Sequence, residues 1–308
     1  AGQETLRRVL DARQLGLKLI ANVTYGYTAA GFSGRMPMAE LADAIVLSGR
    51  CTLENAVRHV EAAGARWARP RVVYGDTDSL FVLMPGVSKQ RAFEIGKEIA
   101  KESTEMNPKD VLLKLEKIYL PCFLASKKRY VGNMYEEPGQ GEPAFDAKGI
   151  EVARRDQCPL VTTLQEQSVK VMFKTKDLSA VKAYLCRQWT KVLEGSARPQ
   201  AFIFAKEVKL GTYASDTYMP PAAIVASKAM LADPRAEPRY GQRVPFVVVC
   251  GPPGARLMDL VLAPREYLAR RGALRLNAQY YLAKQVLPAL DRLFSLLGAD
   301  VARWLAEL

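Results

Sequence analysis

Residues 71 to 84 read "RVVYGDTDSLFVLM": two β-rich apolar runs with Gly75, Asp76, Thr77 and Asp78 between them. Branched and aromatic residues on both sides of a Gly/Asp break predict a β-hairpin. Its apex then carries Asp76 and Asp78 a single residue apart. Like charges pinned that closely destabilise the turn unless something positive offsets them. A divalent cation would do so, and Mg²⁺, a hard ion, takes one or two carboxylates while leaving positions for water and substrate phosphates. The simpler alternative is a plain turn, because Asp is a common turn residue.

The flanking segments alternate in character. Leu6, Val9, Leu10, Leu17 and Ile20 follow helical spacing, which predicts a helix from Leu6 to about Tyr25 that Gly26 would stop. A second helix is expected over residues 38–60 and a third over "SKQRAFEIGKEIAKESTEMNP", ended by Pro108. The segment "VLLKLEKIYLPCFLASKKRYVGNMYE" returns to β character. Helices mixed with an antiparallel sheet make the first 150 residues an α+β arrangement. Beyond about residue 150 the pattern is mainly helical, with helices expected at 157–174, 177–194, 221–232 and 276–296. A short hairpin is expected around "VPFVVVC".

The 44 Lys and Arg against 32 Asp and Glu leave a net charge of +12, which suits a polyanionic partner such as nucleic acid or a membrane surface. No apolar run of about 18 residues is present, so a membrane span is not expected. Neither is a signal peptide, since "AGQETLRRVLDARQ" is charged throughout. The chain starts without Met in the middle of a helical pattern, as an excised fragment would. Cys51, Cys122, Cys158, Cys186 and Cys250 are scattered with no C-x-x-C pair, the pattern of isolated thiols in a reducing compartment. His59, the only histidine, has no His or Cys at ligand spacing and reads as structural.

Three further constellations carry chemistry. Lys18, Asn22 and Tyr25 are spaced by four and three, so they form one stripe on the first helix, away from Leu10, Leu17 and Ile20. Gln14 and Arg7 extend it. Such a stripe could grip a triphosphate and touch a base pair, or be only a solvated face. "KKRY", Lys127 to Tyr130, with Glu116 upstream, places cations beside an aromatic in a β context, which suits phosphate contacts and minor-groove reading. In "DAKGIEVARRDQCP", Lys148, Arg154 and Arg155 add charge near Gly149, whose missing side chain permits close backbone approach.

In order, "KLIANVTYG", "YGDTDS", "LEKIYLPCFLASKKRYVG" and "DAKGIEVARRDQCP" resemble the nucleotide-binding helix, catalytic hairpin, primer-template motif and thumb entry of family-B DNA polymerases. "NVTYGYTAAGFSGRMP" is similar to the translesion branch of that family, with Gly31 where Ser is usual. The resemblance implies residues 1–26 as the last helix of the fingers, 27–150 as palm and 151–308 as thumb. It implies Asp78 as direct metal ligand, Asp76 as its neighbour, either one layer out from the Mg²⁺ or nearer an auxiliary metal, and Glu116 as a carboxylate near that auxiliary position. Lys18 and Asn22 would hold the incoming deoxynucleoside triphosphate, with Tyr25 and Gly26 lining the nascent base pair. Lys127, Lys128, Arg129 and Tyr130 would contact the new duplex, and Lys148, Gly149, Arg154 and Arg155 the primer strand.

The family's "DxxSLYPS" aspartate motif does not occur in the sequence. The expectation is therefore a DNA-directed DNA polymerase acting on primer-template DNA in the nucleus, of which this piece alone is inactive. Accessory subunits and an iron-sulfur cluster would belong to regions outside it. A replicative, delta-type enzyme and a catalytically dead DNA-binding module are the alternatives.

Overall fold

The computed structural model describes residues 2–31, 34, 36–213 and 219–308. The chain folds as two units: residues 1–118 with 136–140, and residues 119–135 with 141–308.

The first unit begins with two long helices, α1 (Gly2–Ala29) and α2 (Ala39–Ala62), packed against each other. The helix α1 runs through Gly26 rather than stopping there, and Ala30 N–H still bonds Gly26 C=O at 3.0 Å. A glycine inside a helix costs only about 1 kcal/mol relative to Ala, too little to end a rod of this length. Leu10, Leu17 and Ile20 remain exposed, so the apolar side of α1 is not buried against any described residue. Strands β1 (Arg71–Asp76) and β2 (Ser79–Leu83) form the expected antiparallel hairpin, with a register shift between Val72 and Tyr74. The helix α3 (Lys89–Glu105) follows, its first turn capped by the Ser88 hydroxyl, which accepts from Arg91 N–H. Burial of Val60, Trp67, Phe93 and Ile95 makes a small core between α2 and α3.

His59 takes a structural place here: Nε2 lies 3.1 Å from Glu102 Oε2, and Arg66 holds both oxygens of the same carboxylate. Trp67 Nε1 donates to Glu98 at 2.9 Å. The end of α2 and the 3₁₀ turn Gly64–Trp67 are thereby tied to α3.

The second unit holds a sheet of order β3-β4-β5, made of Ile118–Ser126, Arg129–Tyr135 and Ala144–Lys148. Helices α4 (Pro159–Thr175) and α5 (Leu178–Leu193) pack together, and α6 (Pro221–Ala232) lies against a further sheet, order β6-β7-β8. That sheet comprises Phe204–Val208, Gln242–Val248 and Val261–Leu262. The run "VPFVVVC" belongs to its central strand, which pairs antiparallel with β8 about fourteen residues downstream, as a hairpin would, and also with β6, some forty positions upstream. Such a partner leaves no local signal, because the apolar run records burial and not where the neighbouring strand lies. After α7 (Pro264–Ala269), α8 (Ala278–Tyr280) runs through a π-helical turn (Tyr281–Val286) into α9 (Leu287–Phe294). The last helix is α10 (Val301–Ala306).

One continuous core ties these layers together, from Phe123, Val131 and Ile150 through Leu164, Leu185 and Trp189 to Phe204, Phe246, Tyr281 and Leu290. Each such side chain contributes about 1.5–3 kcal/mol by leaving water. The β3-β4-β5 sheet shares this core, which is why residues 119–135 and 141–150 belong to the second unit. Among the described residues no helix is long and apolar enough to cross a membrane.

Candidate active site and nucleic-acid interface

In the first unit Asp76 pairs with Ser79, so Thr77 and Asp78 alone form the hairpin turn. Thr77 sits at φ 52°, a left-handed conformation that is an outlier for a β-branched residue. Strain of this kind costs about 1–3 kcal/mol and persists where the surroundings over-determine it. The determinants are visible. Asp78 N–H donates to Asp76 C=O at 2.5 Å, and Ser79 Oγ donates to the same carbonyl at 3.0 Å. The Asp76 carboxylate accepts from Tyr74 OH at 3.2 Å and from Thr77 Oγ1 at 3.1 Å. Asp78 differs: its carboxylate is exposed and makes no hydrogen bond or ion pair with a described residue. One carboxylate oriented by hydroxyls beside one left open to solvent is a donor set that fits a hard divalent cation.

Glu116 lies exposed in the irregular segment before β3, and the structure does not gather it with the hairpin pair. Among the described residues no three His, Cys, Asp or Glu side chains converge as a metal site. Cys51 and Cys250 are exposed, Cys158 is buried, and burial raises the thiols of Cys122 and Cys158 to about 12 and about 11. Five separate thiols do not fit an iron-sulfur cluster.

Lys18, Asn22 and Tyr25 all fall on α1 as spaced, exposed, with the Lys18 and Asn22 side chains making no hydrogen bond or ion pair among the described residues. Gly26 follows on the same rod. The helix α2 packs on α1 and on both strands of the hairpin, so it is the element that links the stripe to the carboxylates. Phe32, Ser33 and Arg35 of the "FSGRMP" continuation lie outside the described residues.

In the second unit Lys127 and Lys128 form the two-residue turn between β3 and β4, with Lys128 at φ 61°. Glycine or asparagine is the ordinary occupant of such a position, and another residue costs about 1–2 kcal/mol. Arg129 and Tyr130 open β4, and Tyr130 stands directly opposite Lys148 of β5. Gly149, at φ 66°, passes so close to the turn that a β-carbon would meet the Lys128 carbonyl oxygen at 2.1 Å. Two motifs separated by about twenty residues are thus one surface.

Next comes a 3₁₀ turn, Glu151–Ala153, anchored from below. The nearly buried Glu151 accepts from Gln165 Nε2 at 2.8 Å and pairs with Arg292 at 2.7 Å, while Gln165 also bonds Ala289 C=O and accepts from Val152 N–H. Sequence reasoning missed this buried network, since its three side chains are distant along the chain. Arg155 is exposed without a described partner, whereas Arg154 makes a bidentate pair with Asp156 at 2.9 and 2.8 Å. That hydrogen bond, chiefly, holds the Asp156 carboxyl below the usual range. The pair takes up Nε and one Nη2 hydrogen of Arg154 and leaves its other guanidinium N–H groups unused by Asp156.

The fold and these two surfaces define a class. The chain belongs to DNA polymerase family B, whose family model matches residues 1–297. It is 58% identical over 308 residues to the DNA polymerase zeta catalytic subunit of Arabidopsis thaliana, covering 99% of this chain and 16% of that protein. The DNA polymerase delta catalytic subunit of Bos taurus is 32% identical over 294 residues, covering 94% of this chain and 26% of that protein. The family B DNA polymerase from the hyperthermophilic archaeon Pyrobaculum calidifontis superposes with a TM-score of 0.64 at 25% identity, over 95% of this chain and 35% of that structure. The chain therefore spans about a sixth of the length of its zeta-type relative.

Proposed function

We propose that the protein carrying this chain is a DNA-directed DNA polymerase of the zeta, translesion type, extending a primer on template DNA by two-metal nucleotidyl transfer in the nucleus. The observation that carries this reading is the β1-β2 apex, where Asp78 is open to solvent while hydroxyl donors fix Asp76. Agreement of identity favours zeta over delta, 58% against 32%.

In this reading Asp78 and Asp76 hold Mg²⁺, with Glu116 near the auxiliary position. The ions would activate the primer 3′-hydroxyl and stabilise the leaving pyrophosphate. Lys18 and Asn22 bind the triphosphate, and Tyr25 and Gly26 line the nascent base pair. Lys127, Lys128, Arg129 and Tyr130 hold the new duplex, while Lys148, Gly149, Arg154 and Arg155 meet the primer strand. Residues 1–26, 27–150 and 151–308 serve as fingers helix, palm and thumb. With only two carboxylates at the apex, residues 1–308 alone are inactive, and further carboxylate comes from elsewhere in the protein. Accessory subunits bind other regions, where an iron-sulfur cluster would also reside.

The test is Asp78→Ala in the full-length protein. Primer extension should fall to near zero while primer-template binding is kept, because this carboxylate contributes nothing attractive to phosphate. Turnover comparable to that of the unaltered protein would sink the assignment.

A further inference from the structure

The β3-β4-β5 sheet contains a carboxylate that a phosphate-binding surface should disfavour. Asp146 lies on β5, two residues before Lys148 and so on the same face. Its side chain is only 13% exposed, and both oxygens are engaged. Tyr119, two strands away on β3, donates its hydroxyl to Asp146 Oδ2 at 2.5 Å. The Lys148 ammonium lies 3.3 Å from Oδ1.

Tyr119 reaches Asp146 only because Gly132 intervenes on β4, directly opposite Asp146. A β-carbon at Gly132 would stand 2.6 Å from Tyr119 Cδ1, so the ring crosses the central strand through the space that a side chain would fill. The Tyr119 ring also meets Tyr130 edge-on, with centroids 5.9 Å apart at 76°. A line of touching side chains thus runs across all three strands to the two residues, Tyr130 and Lys148, that face each other at the edge beside the Lys127–Lys128 turn.

Tyr119 needs only an acceptor, and a neutral Asn side chain would supply one. What the carboxylate adds is a restraint on the ammonium. A lysine side chain has many rotamers, and one already held near its working place gives up less freedom on binding.

We infer that Asp146, held by Tyr119 across Gly132, is a positioning residue that sets where Lys148 and Tyr130 meet the primer-template duplex, and so aligns the primer for nucleotide addition. This rests on the polymerase reading above. It makes a prediction of unusual sign: removing a negative charge from a DNA-binding face should, by electrostatics alone, tighten binding. If Asp146 positions, the same change slows incorporation without weakening affinity.

The experiment compares the full-length protein with its Asp146→Asn, Tyr119→Phe and Asp78→Ala variants, measuring primer-template Kd and single-turnover incorporation. Misalignment of about 1 Å can cost up to about a hundredfold in rate, so a loss of about tenfold in kcat is expected for Asp146→Asn, with Kd equal or lower. Tyr119→Phe keeps the ring against Gly132 and Tyr130 and should give a smaller loss of the same kind, and it carries the test if Asp146→Asn fails to fold. Unchanged kcat in the folded variants overturns the inference. A kcat loss accompanied by weaker DNA binding overturns it too, because disruption of the sheet produces that pattern. Should Asp78→Ala remain active, the polymerase assignment of the hairpin fails instead, whatever Asp146 does.

Discussion

The carbonyl oxygen of Lys128 occupies the space beside Gly149 so closely that a β-carbon there would approach it to 2.1 Å. Backbone opposes backbone at this point, so no rotamer change relieves the clash, and φ 66° already disfavours any L side chain. Gly149→Ala should therefore push the Lys127–Lys128 turn away from β5 and disturb both basic motifs at once. The expected result is weaker primer-template binding in the full-length protein together with faster amide exchange across residues 126–130. Unaltered exchange in that turn would show that the approach is not rigid.

Lys18 stands on an exposed stripe with Asn22 and has no acidic partner among the described residues, so its charge is available to a ligand. Charge grows on the phosphates as the transition state forms. Lys18→Ala in the full-length enzyme should raise the apparent KM for nucleotide and lower kcat, while leaving primer-template affinity in place. Steady-state kinetics with nucleotide varied at saturating DNA measures this, and an unaltered nucleotide dependence removes Lys18 from the site.

The Lys127–Lys128 turn holds two exposed ammonium groups. For every phosphate no longer neutralised, the log-log salt dependence of duplex binding flattens by roughly one unit. Replacing both lysines with Ala should weaken binding uniformly across sequences and reduce the slope accordingly. A slope that stays put means that the turn touches no phosphate.

Tyr281 lies fully buried, donating its hydroxyl to Phe202 C=O at 2.7 Å and accepting from Val248 N–H at 3.0 Å. Tyr281→Phe leaves both backbone groups buried without this partner and should cost about 1–3 kcal/mol, read as a lower denaturation midpoint. Burial raises the phenol pKa well above its ordinary value of about 10. An acid whose folded pKa is raised contributes its stability in full below the unfolded pKa and loses it as pH climbs toward the folded one. The stability gap between the two proteins should thus be constant at neutral pH and shrink above about pH 10. A gap independent of alkaline pH would argue against the shift.

Legibility differed between elements for identifiable reasons. The hairpin of residues 71–83 was readable because its turn and its partner strands are contiguous, and α3 because Ser88 and Pro108 bracket an amphipathic run. The strand Gln242–Val248 has one local antiparallel partner, Val261–Leu262, but its other neighbour, Phe204–Val208, is remote in sequence and leaves no local signal. The short strand Ala144–Lys148 gave no alternation strong enough to notice, yet it brings Asp146 beneath Tyr119. Gly26 looked like a helix stop, but hydrogen bonding along α1 outweighs one residue's propensity.

The order of residues by itself determined the family, the net positive charge, and the identity of the candidate ligands Asp76, Asp78, Lys18 and Asn22, because these depend on residue type and short spacing. Only the tertiary structure decided that Gly149 abuts Lys128, that Arg154 is occupied by Asp156, and that Glu151, Gln165 and Arg292 share one buried network. Some of these pairings join positions far apart along the chain, Glu151 and Arg292 among them. Which distant groups meet is settled by packing around a common core, where close approach and the need to pair every buried polar atom leave few arrangements.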